Sequence, residues 1–268
     1  MATSRSFDFG GGTVLNVSCF GSQGPTLIFL HFWGGSSRTY SPVIEHLGTH
    51  FQTFAVDFRG WGASIGPDNP DAYSIEILAD DIEAVITALQ LKSFFIIGHS
   101  MGGKVAQLLA GRGRLEGLQG VVLVAPAPPS PLELPAEAKE QQLSAYDSRE
   151  NATFVAKNVL TSTSLPEGVI AALAEDMLKG SAVARDAWPK YAMAEDVTAE
   201  VKNISVPVLV VAASADRVEP ADKMQSLVVD RIKHASLVVI QGSGHMVPVE
   251  APSQLAAHIT SFVDKVSI

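Results

Sequence analysis

The alternation of short apolar runs with helix-like segments is the feature that most restricts the fold of this chain. Most of the runs are continuously apolar and rich in valine and isoleucine, which is typical of strands covered on both faces of a parallel sheet. The runs occupy residues 13–20, 26–32, 52–58, 93–98, 120–126, 206–214 and 235–241, and the helix-like segments lie near 37–48, 75–91, 101–111, 220–230 and 251–265. This order predicts an α/β fold with a doubly wound, mostly parallel sheet. The first two runs have no helix between them, so we expect them to form an antiparallel hairpin.

One long segment interrupts this rhythm. Residues 127–203 contain no convincing strand-like run and follow a proline-rich entrance, APAPPSPLELP. A segment of this length between two strands of one sheet is either an inserted unit or an unstructured linker. Apolar residues recur within it at helical spacing, which favours an inserted helical unit: Phe154, Val155, Val159, Val169, Ile170, Leu173 and Met177. We therefore expect a core built from residues 1–126 and 204–268, and a helical cap formed by residues 127–203.

Charge and cysteine content argue against several classes of protein. The 268 residues carry a formal net charge of −9 and no basic cluster, so nucleic acid and anionic membrane surfaces are poor partners. Cys19 is the single cysteine, and the fold therefore cannot depend on an intrachain disulfide. No apolar run approaches the roughly 18 residues of a spanning helix, and the first residues lack the apolar region of a secretory signal. These features predict a cytoplasmic protein and leave its oligomeric state open.

The stretch GHSMG, residues 98–102, places a serine between a strand-like run and a helix-like segment. This pattern, G-x-S-x-G, is the nucleophile elbow when it stands at a strand–turn–helix junction, because the sharp turn lifts the serine hydroxyl out of the sheet. The flanking glycines permit such a turn. The alternative is that Ser100 is an ordinary helix N-cap. The local sequence does not decide between the two.

A serine nucleophile needs a base that is oriented by a carboxylate. Of the seven histidines, His245 has the best position, because it follows the last strand-like run on a glycine-rich loop. His99, beside the serine, would point away from it on a tight turn. Asp216 is the first acid after the run 206–214, and Glu219 is a second candidate three residues later.

Asp216 also allows a structural interpretation, because either Asp216 or Asp222 could cap the helix predicted near 220. The order Ser100, Asp216, His245 is, however, the chain order of one convergent version of the serine triad. We therefore take these three residues as the candidate catalytic residues.

With these motifs the chain resembles the α/β-hydrolase superfamily over nearly its full length. The matching stretches are LHFWGGSSRTYSPVIEHL, DFRGWGAS, GHSMGG, ASADRVEP and GSGHMVPVEAP. The closest resemblance is to single-domain serine esterases, with cofactor-free haloperoxidases, perhydrolases and carbon–carbon bond hydrolases as near relatives. The resemblance implies a mostly parallel sheet with an N-terminal antiparallel hairpin, and a helical cap inserted after the sixth strand of the family's sheet.

The resemblance also implies an oxyanion hole made of two backbone amides. One would belong to Met101, the residue after the nucleophile, and the other to the loop that reads His31-Phe32-Trp33. Trp33 occupies the position of the family's donor, while Phe32 replaces a glycine that is common there. That departure leaves Phe32 as the alternative donor, with Gly34 and Gly35 supplying the freedom of the loop.

The predicted function is hydrolysis of a carboxylic ester or lactone of a small to medium apolar molecule. The residues expected around the substrate are apolar or aromatic, although each could equally be packed core: Phe32, Trp33, Trp188, Tyr191, Met246 and Val247. Carbon–carbon cleavage and peracid formation are alternatives for the same three residues, and a hydrolase-fold ligand receptor is a third. We expect no metal, since no His/Cys/Asp cluster has ligand spacing, and no organic cofactor.

Overall fold

A computed structural model describes residues 3–267, and within them eight strands form one sheet in the order β1-β2-β4-β3-β5-β6-β7-β8. The strands are β1 Thr3–Gly10, β2 Thr13–Phe20, β3 Thr26–Leu30, β4 Gln52–Val56, β5 Phe94–His99, β6 Leu118–Val124, β7 Val208–Ala213 and β8 Ala235–Ile240. The β1–β2 and β2–β4 pairs are antiparallel, and all other neighbours are parallel. The predicted doubly wound sheet with an antiparallel hairpin at its start is confirmed.

The members of that hairpin are a correction to the sequence analysis. The strand 13–20 pairs with β1 and β4, and it is not a neighbour of the strand in 26–32. β1, with the sequence TSRSFDFG, was not predicted, because almost all of its side chains are exposed at the edge of the sheet. An edge strand of this kind has no apolar face, so it leaves no periodic apolar signal in the sequence.

The helices fill the intervals that the periodicity predicts. They are α1 Ser41–Leu47, α2 Ile75–Ala88, α3 Met101–Arg112, α4 Ala136–Leu143, α5 Arg149–Phe154, α6 Glu167–Lys179, α7 Ala182–Lys190, α8 Thr198–Val201, α9 Ala221–Leu227, α10 Val247–Glu250 and α11 Pro252–Val266. A π-helical turn, Val155–Leu160, follows α5 directly. None of the helices described in residues 3–267 is both long and apolar enough to cross a membrane.

Two apolar clusters lie on opposite faces of the sheet, and β5 contributes to both. Phe94 and Ile96 belong to the cluster that α2 and α3 cover, whereas Phe95 and Ile97 belong to the cluster that α1 and α11 cover. All six residues of β5 are buried. A strand in this central position needs apolar side chains on both faces, which explains why its sequence shows no alternation.

The segment between β6 and β7 carries α4 to α8 and the π-helical turn, and no strand is described in it. Its buried residues join the same apolar cluster as α2 and α3. Two of its contacts reach the loop that follows β3: Tyr146 donates a hydrogen bond to the Trp33 carbonyl, and the carbonyl of Arg185 accepts one from the Trp33 indole. The segment therefore packs over the carboxyl ends of the central strands.

Candidate active site

Ser100 stands at the turn between β5 and α3 in a conformation that few residues adopt. Its φ is 53° and its ψ is −115°, a combination that costs a non-glycine residue about 1–3 kcal/mol. The surrounding backbone holds this turn in place. The Ser100 amide donates to the Val124 carbonyl at 3.0 Å, and the Ser100 carbonyl accepts from the Ala127 amide at 3.1 Å. The strain is therefore maintained by β6 and the residues that follow it.

Close backbone packing explains the two glycines of the motif. A Cβ on Gly98 would collide with the Gly102 carbonyl oxygen, and a Cβ on Gly102 would collide with the Leu30 carbonyl oxygen. The Ser100 side chain makes no capping hydrogen bond to the first turn of α3. The N-cap interpretation thus finds no support in the geometry, and the hydroxyl is left free for another partner.

His245 and Asp216 form a buried pair at the ends of β8 and β7. The His245 Nδ1–H donates to Asp216 Oδ2 at 2.8 Å, and Asp216 Oδ1 accepts from the amides of Val218 and Glu219 at 2.8 and 2.9 Å. Since Nδ1 carries the proton in this hydrogen bond, the neutral imidazole leaves its Nε2 as a proton acceptor. Asp216, not Glu219, is thus the partner of His245.

Burial and pairing act on this pair in opposite directions. Burial alone would lower the pKa of His245 and raise the pKa of Asp216, because it disfavours both charges. The charge of Asp216 and its hydrogen bond outweigh burial, so the pKa of His245 is raised. The charge of His245, with the two amide donors, likewise lowers the pKa of Asp216. The pair is arranged to stabilise an imidazolium beside a carboxylate.

The loop that carries His245 is fastened on both sides. His99 Nε2–H donates to the His245 carbonyl at 2.8 Å, and the Met246 amide donates to the Leu160 carbonyl at 3.1 Å. Glu250 accepts from the Gly244 amide with one oxygen, and from the Ser162 amide with the other. The histidine loop is therefore tied to β5 and to the segment between β6 and β7.

The loop after β3 is held by His31. Its Nε2 accepts from the Phe58 amide at 3.0 Å, so its Nδ1 carries the proton and donates to the Phe32 carbonyl at 2.7 Å. Burial is the largest influence on His31 and lowers its pKa, which favours this neutral form. The φ of Phe32 is not positive, whereas Gly34 has a φ of +95°. The glycine missing at position 32 is thus compensated two residues later.

The amides proposed for the oxyanion hole are unpaired. Within residues 3–267, the backbone N–H groups of Trp33 and Met101 donate to no protein acceptor. The same is true of the Phe32 amide, so hydrogen bonding does not distinguish Trp33 from Phe32 as the second donor. Met101 is the first residue of α3, where an unpaired amide adds to the positive end of the helix dipole.

The family model described as the alpha/beta hydrolase fold matches residues 25–252, which is most of the chain. The chain belongs to the α/β-hydrolase fold family. It is 30% identical to 3-oxoadipate enol-lactonase 2 of Acinetobacter baylyi over 246 residues, which are 89% of this chain and 88% of that protein.

Two further proteins, one similar in sequence and one similar in structure, match different shares of the chain. N-formylmaleamate deformylase of Pseudomonas putida is 40% identical over 108 residues, but the match spans only 40% of this chain and 39% of that protein. The solved structure of the esterase EaEST from Exiguobacterium antarcticum is similar with a TM-score of 0.86 at 21% identity, covering 94% of this chain and 96% of that one. At this identity the structural likeness supports the fold alone.

Four of the residues expected around the substrate lie in one apolar cluster of the hydrolase: Phe32, Trp33, Trp188 and Met246. The Phe32 ring lies 5.3 Å from the ring of His99, the neighbour of Ser100. Trp33 stacks on Tyr146 with ring centroids 4.1 Å apart. Trp188 is buried on α7, and Met246 follows His245 directly.

The other two differ from these four, although Tyr191 is partly buried and packs against the same cluster. Val247 belongs to the cluster on the opposite face of the sheet, together with residues of α1 and α11. The Tyr191 hydroxyl donates to the Pro70 carbonyl at 2.6 Å and accepts from the Tyr73 amide at 3.1 Å, so it fastens the loop before α2. Val247 therefore packs on the opposite face of the sheet, and Tyr191 fixes a loop in addition to packing against the first cluster.

Several residues around the site were not predicted from the sequence. Tyr146 and Arg185 hold the Trp33 loop, Glu250 holds the histidine loop, and His99 connects that loop to the elbow. Tyr146, Arg185 and His99 lie more than 100 residues from their partners, so no local pattern could reveal these contacts, whereas Glu250 lies only six residues after Gly244. No group of three or more His, Cys, Asp or Glu residues suited to a metal ion occurs between residues 3 and 267.

Proposed function

We propose that this α/β hydrolase cleaves carboxylic esters or lactones through an acyl-enzyme on Ser100. The observation that carries the proposal is the combination of a strained serine at the β5–α3 turn and a His245–Asp216 pair that leaves His245 Nε2 as a proton acceptor. A hydroxyl held in such a conformation, with a neutral imidazole available nearby, is suited to nucleophilic attack rather than to packing.

In the proposed reaction, Ser100 Oγ bonds to the substrate carbonyl carbon while its proton passes to His245 Nε2. The carbonyl electron pair moves to oxygen and then returns, breaking the bond to the alcohol oxygen, which takes the proton from Nε2. A water molecule then repeats the sequence on the acyl-enzyme, releasing the acid and restoring Ser100. Asp216 holds Nδ1 protonated throughout and stabilises the transient imidazolium.

The developing oxyanion would be bound by the amides of Met101 and Trp33, with Phe32 as the alternative to Trp33. Each such donor contributes about 3 kcal/mol to the transition state in comparable sites. The unpaired state of these amides in residues 3–267 supports this role, because they are free to donate.

We also propose that residues 127–203 act as a helical cap over the site, with residues 3–126 and 204–267 as the described part of the core. Residues 1, 2 and 268 lie outside the described residues. Support comes from the contacts of Tyr146 and Arg185 with Trp33, and of Leu160 with Met246.

Phe32, Trp33, Trp188 and Met246 would line the pocket, which suits a small apolar ester or lactone. The similarity to an enol-lactonase supports a lactone among the substrates. The lone Cys19 supports a reducing, cytoplasmic location.

The test is the mass of the intact protein after reaction with an organophosphonate serine probe. We expect one adduct on the wild type and on Ser226→Ala, whose hydroxyl is exposed, and none on Ser100→Ala or His245→Ala. Products from a panel of esters, lactones and carbon–carbon substrates, with and without peroxide, then identify the reaction. An adduct on Ser100→Ala, or unchanged ester hydrolysis by that variant, would refute the proposal.

A further inference from the structure

Glu219 is a buried acid that has no role in the proposed steps of ester hydrolysis. It lies in the turn that follows β7, where Asp216 Oδ1 accepts the amides of both Val218 and Glu219. This turn directs residues 217 and 218 to solvent and brings Asp216 and Glu219 to the inside, so that Glu219 is only 5% exposed. The second acid therefore faces the interior from the same turn as the partner of His245.

The Glu219 carboxyl group has no partner in the described part of the chain. Within residues 3–267 it makes no side-chain hydrogen bond and no ion pair within 4.0 Å, yet its oxygens are not fully enclosed. A buried polar group without a hydrogen bond destabilises the folded state, and proteins retain such groups at functional sites or where a ligand, a water molecule or an ion supplies the missing partner. At 5% exposure, Glu219 is nearly but not completely enclosed by the protein.

Burial and charged groups on four structural elements influence the pKa of Glu219. Burial is the largest influence and raises its pKa to about 8, and the charge of Asp216 in the same turn acts in the same direction. His245 on the loop after β8, Lys104 on α3 and Lys223 on α9 act the other way. Burial and a neighbouring carboxylate together favour the protonated form of Glu219, because two adjacent buried carboxylates resist simultaneous ionisation.

Within residues 3–267 Lys104 forms no ion pair with Glu219, because its ammonium group is directed to two backbone carbonyls. It donates to the carbonyls of Ser130 and Met193 at 3.2 and 3.1 Å, at the two ends of the segment between β6 and β7. Lys104 lies one turn after Ser100 on α3 and is fully buried. The charge of His245, on the loop after β8, and the charge of Lys104, on the helix that begins after Ser100, both act on Glu219.

From this burial, from the turn shared with Asp216 and from the lack of a partner within residues 3–267, we propose that Glu219 is a substrate-binding residue, whose carboxyl group donates a hydrogen bond to an oxygen of the substrate other than the reacting carbonyl. The inference rests on the proposed function of the site. It narrows the substrate class from apolar esters to esters or lactones with an additional ether, ketone or hydroxyl oxygen. An otherwise apolar pocket that contains one unpaired donor favours such molecules over hydrocarbon analogues, because the latter would leave the donor unsatisfied.

The protonation state is tested first and without substrate. The difference infrared spectrum between the wild type and Glu219→Gln, recorded from about pH 5 to about pH 10, should contain a carboxylic acid carbonyl band at about pH 7 that disappears at higher pH. Asp222→Asn, which removes an exposed acid three residues later, is the matched control and should show no such band. A wild type without the band at about pH 7 overturns the proposal, whether or not the protein hydrolyses esters.

Specificity is tested with pairs of esters in which one methylene is replaced by an ether oxygen, once in the acyl chain and once in the alcohol. We expect the wild type to prefer the oxygen-containing member of one pair, after correction for chemical reactivity, by about tenfold in kcat/KM. Glu219→Gln keeps a neutral donor and should keep most of the preference at all pH values. Glu219→Leu should lose it, and the wild type should lose it as the pH rises above about 8.

An equal preference in Glu219→Leu, or no preference in the wild type, refutes the assignment. So does a preference for ammonium-bearing esters that Glu219→Gln abolishes, since that result identifies an ionised carboxylate. If the phosphonate probe fails to label Ser100 and no ester is cleaved, the proposed function is wrong, whereas labelling without an oxygen preference overturns the role of Glu219 alone.

Discussion

His99 and His245 lie against each other with ring centroids 5.1 Å apart, and His99 Nε2–H donates to the His245 carbonyl oxygen at 2.8 Å. Burial is the main reason that the pKa of His99 falls to about 3, with the nearby His245 charge adding to it, so the neutral form of His99 is strongly favoured. The residue before the nucleophile thus anchors the backbone of the histidine that we propose as the base.

His99→Phe is expected to lower kcat by about tenfold, with little change in KM. The phenyl ring preserves the packing but removes the donor to the His245 carbonyl, so the base loses its fixed position. His99→Gln places an amide near the original Nε2 and should recover most of the loss. Steady-state kinetics of both variants, normalised to the fraction labelled by the phosphonate probe, test this. Equal activity in the two variants would contradict the role of the hydrogen bond.

Ser100→Gly is expected to be more stable than Ser100→Ala by about 1 kcal/mol, although both are inactive. Glycine tolerates the φ of 53° at this position, whereas alanine retains the strain. Thermal unfolding should show the difference as an increase of about 2–4 °C in the Tm of the glycine variant. Identical unfolding temperatures would mean that the elbow stores no backbone strain.

Asp216→Asn is expected to reduce kcat by about 10³–10⁴-fold and to change the pH profile. His245 must be neutral to accept a proton, so activity falls as the pH decreases through its pKa. Since the charge of Asp216 raises that pKa, its removal should move the acid limb of kcat/KM to lower pH. An acid limb that stays in place would show that another group titrates there. Asp222→Asn is the control.

Glu250→Gln is expected to lower kcat by about tenfold. One of its oxygens accepts from the Gly244 amide, and the other accepts from the amides of Ser162 and Thr163. The amide replaces one of these acceptors by a donor, which repels an N–H group and loosens the loop of His245. Glu137→Gln, at an exposed position, serves as the control and should behave as the wild type. Wild-type kinetics in Glu250→Gln would contradict the argument.

The raised pKa of Glu219 predicts how the free energy of unfolding changes with pH. Its folded pKa of about 8 is above its ordinary value, so the folded state binds more protons than the unfolded state between about pH 4.5 and 8. Its contribution to stability is therefore fully present below that range and is lost as the pH rises through it. The free energy of unfolding of Glu219→Gln should fall less over this range than that of the wild type. Parallel curves in urea titrations at several pH values would exclude a protonated Glu219.

Local patterns in the sequence predict those parts of the molecule that depend on neighbouring residues. The elbow around Ser100 was identified because a turn, its glycines and the helix after it are contiguous, and the central strands because their burial on both faces leaves an uninterrupted apolar run. β1 was missed for the opposite reason, since an exposed edge strand can consist of polar residues.

Long-range contacts could not be predicted in this way. Tyr146 meets Trp33 across 113 residues of chain, and His99 meets His245 across 146. The choice between Asp216 and Glu219 is of the same kind, because both acids follow one strand and only the direction of each side chain decides which one reaches His245. The sequence analysis expected β2 to pair with β3. That expectation is wrong because a crossing connection places β4 between these two strands.

The sheet order determines at which stage of synthesis and folding the three candidate catalytic residues can come together. Ser100 follows β5, Asp216 follows β7 and His245 follows β8, and β8 is the last strand both in the chain and in the sheet. A nascent chain leaving the ribosome can form the elbow long before it can form the base, since contacts between distant residues come late. The proposed esterase activity would then be absent from every partly synthesised or partly folded chain, and Ser100 could act as the proposed nucleophile only in finished molecules.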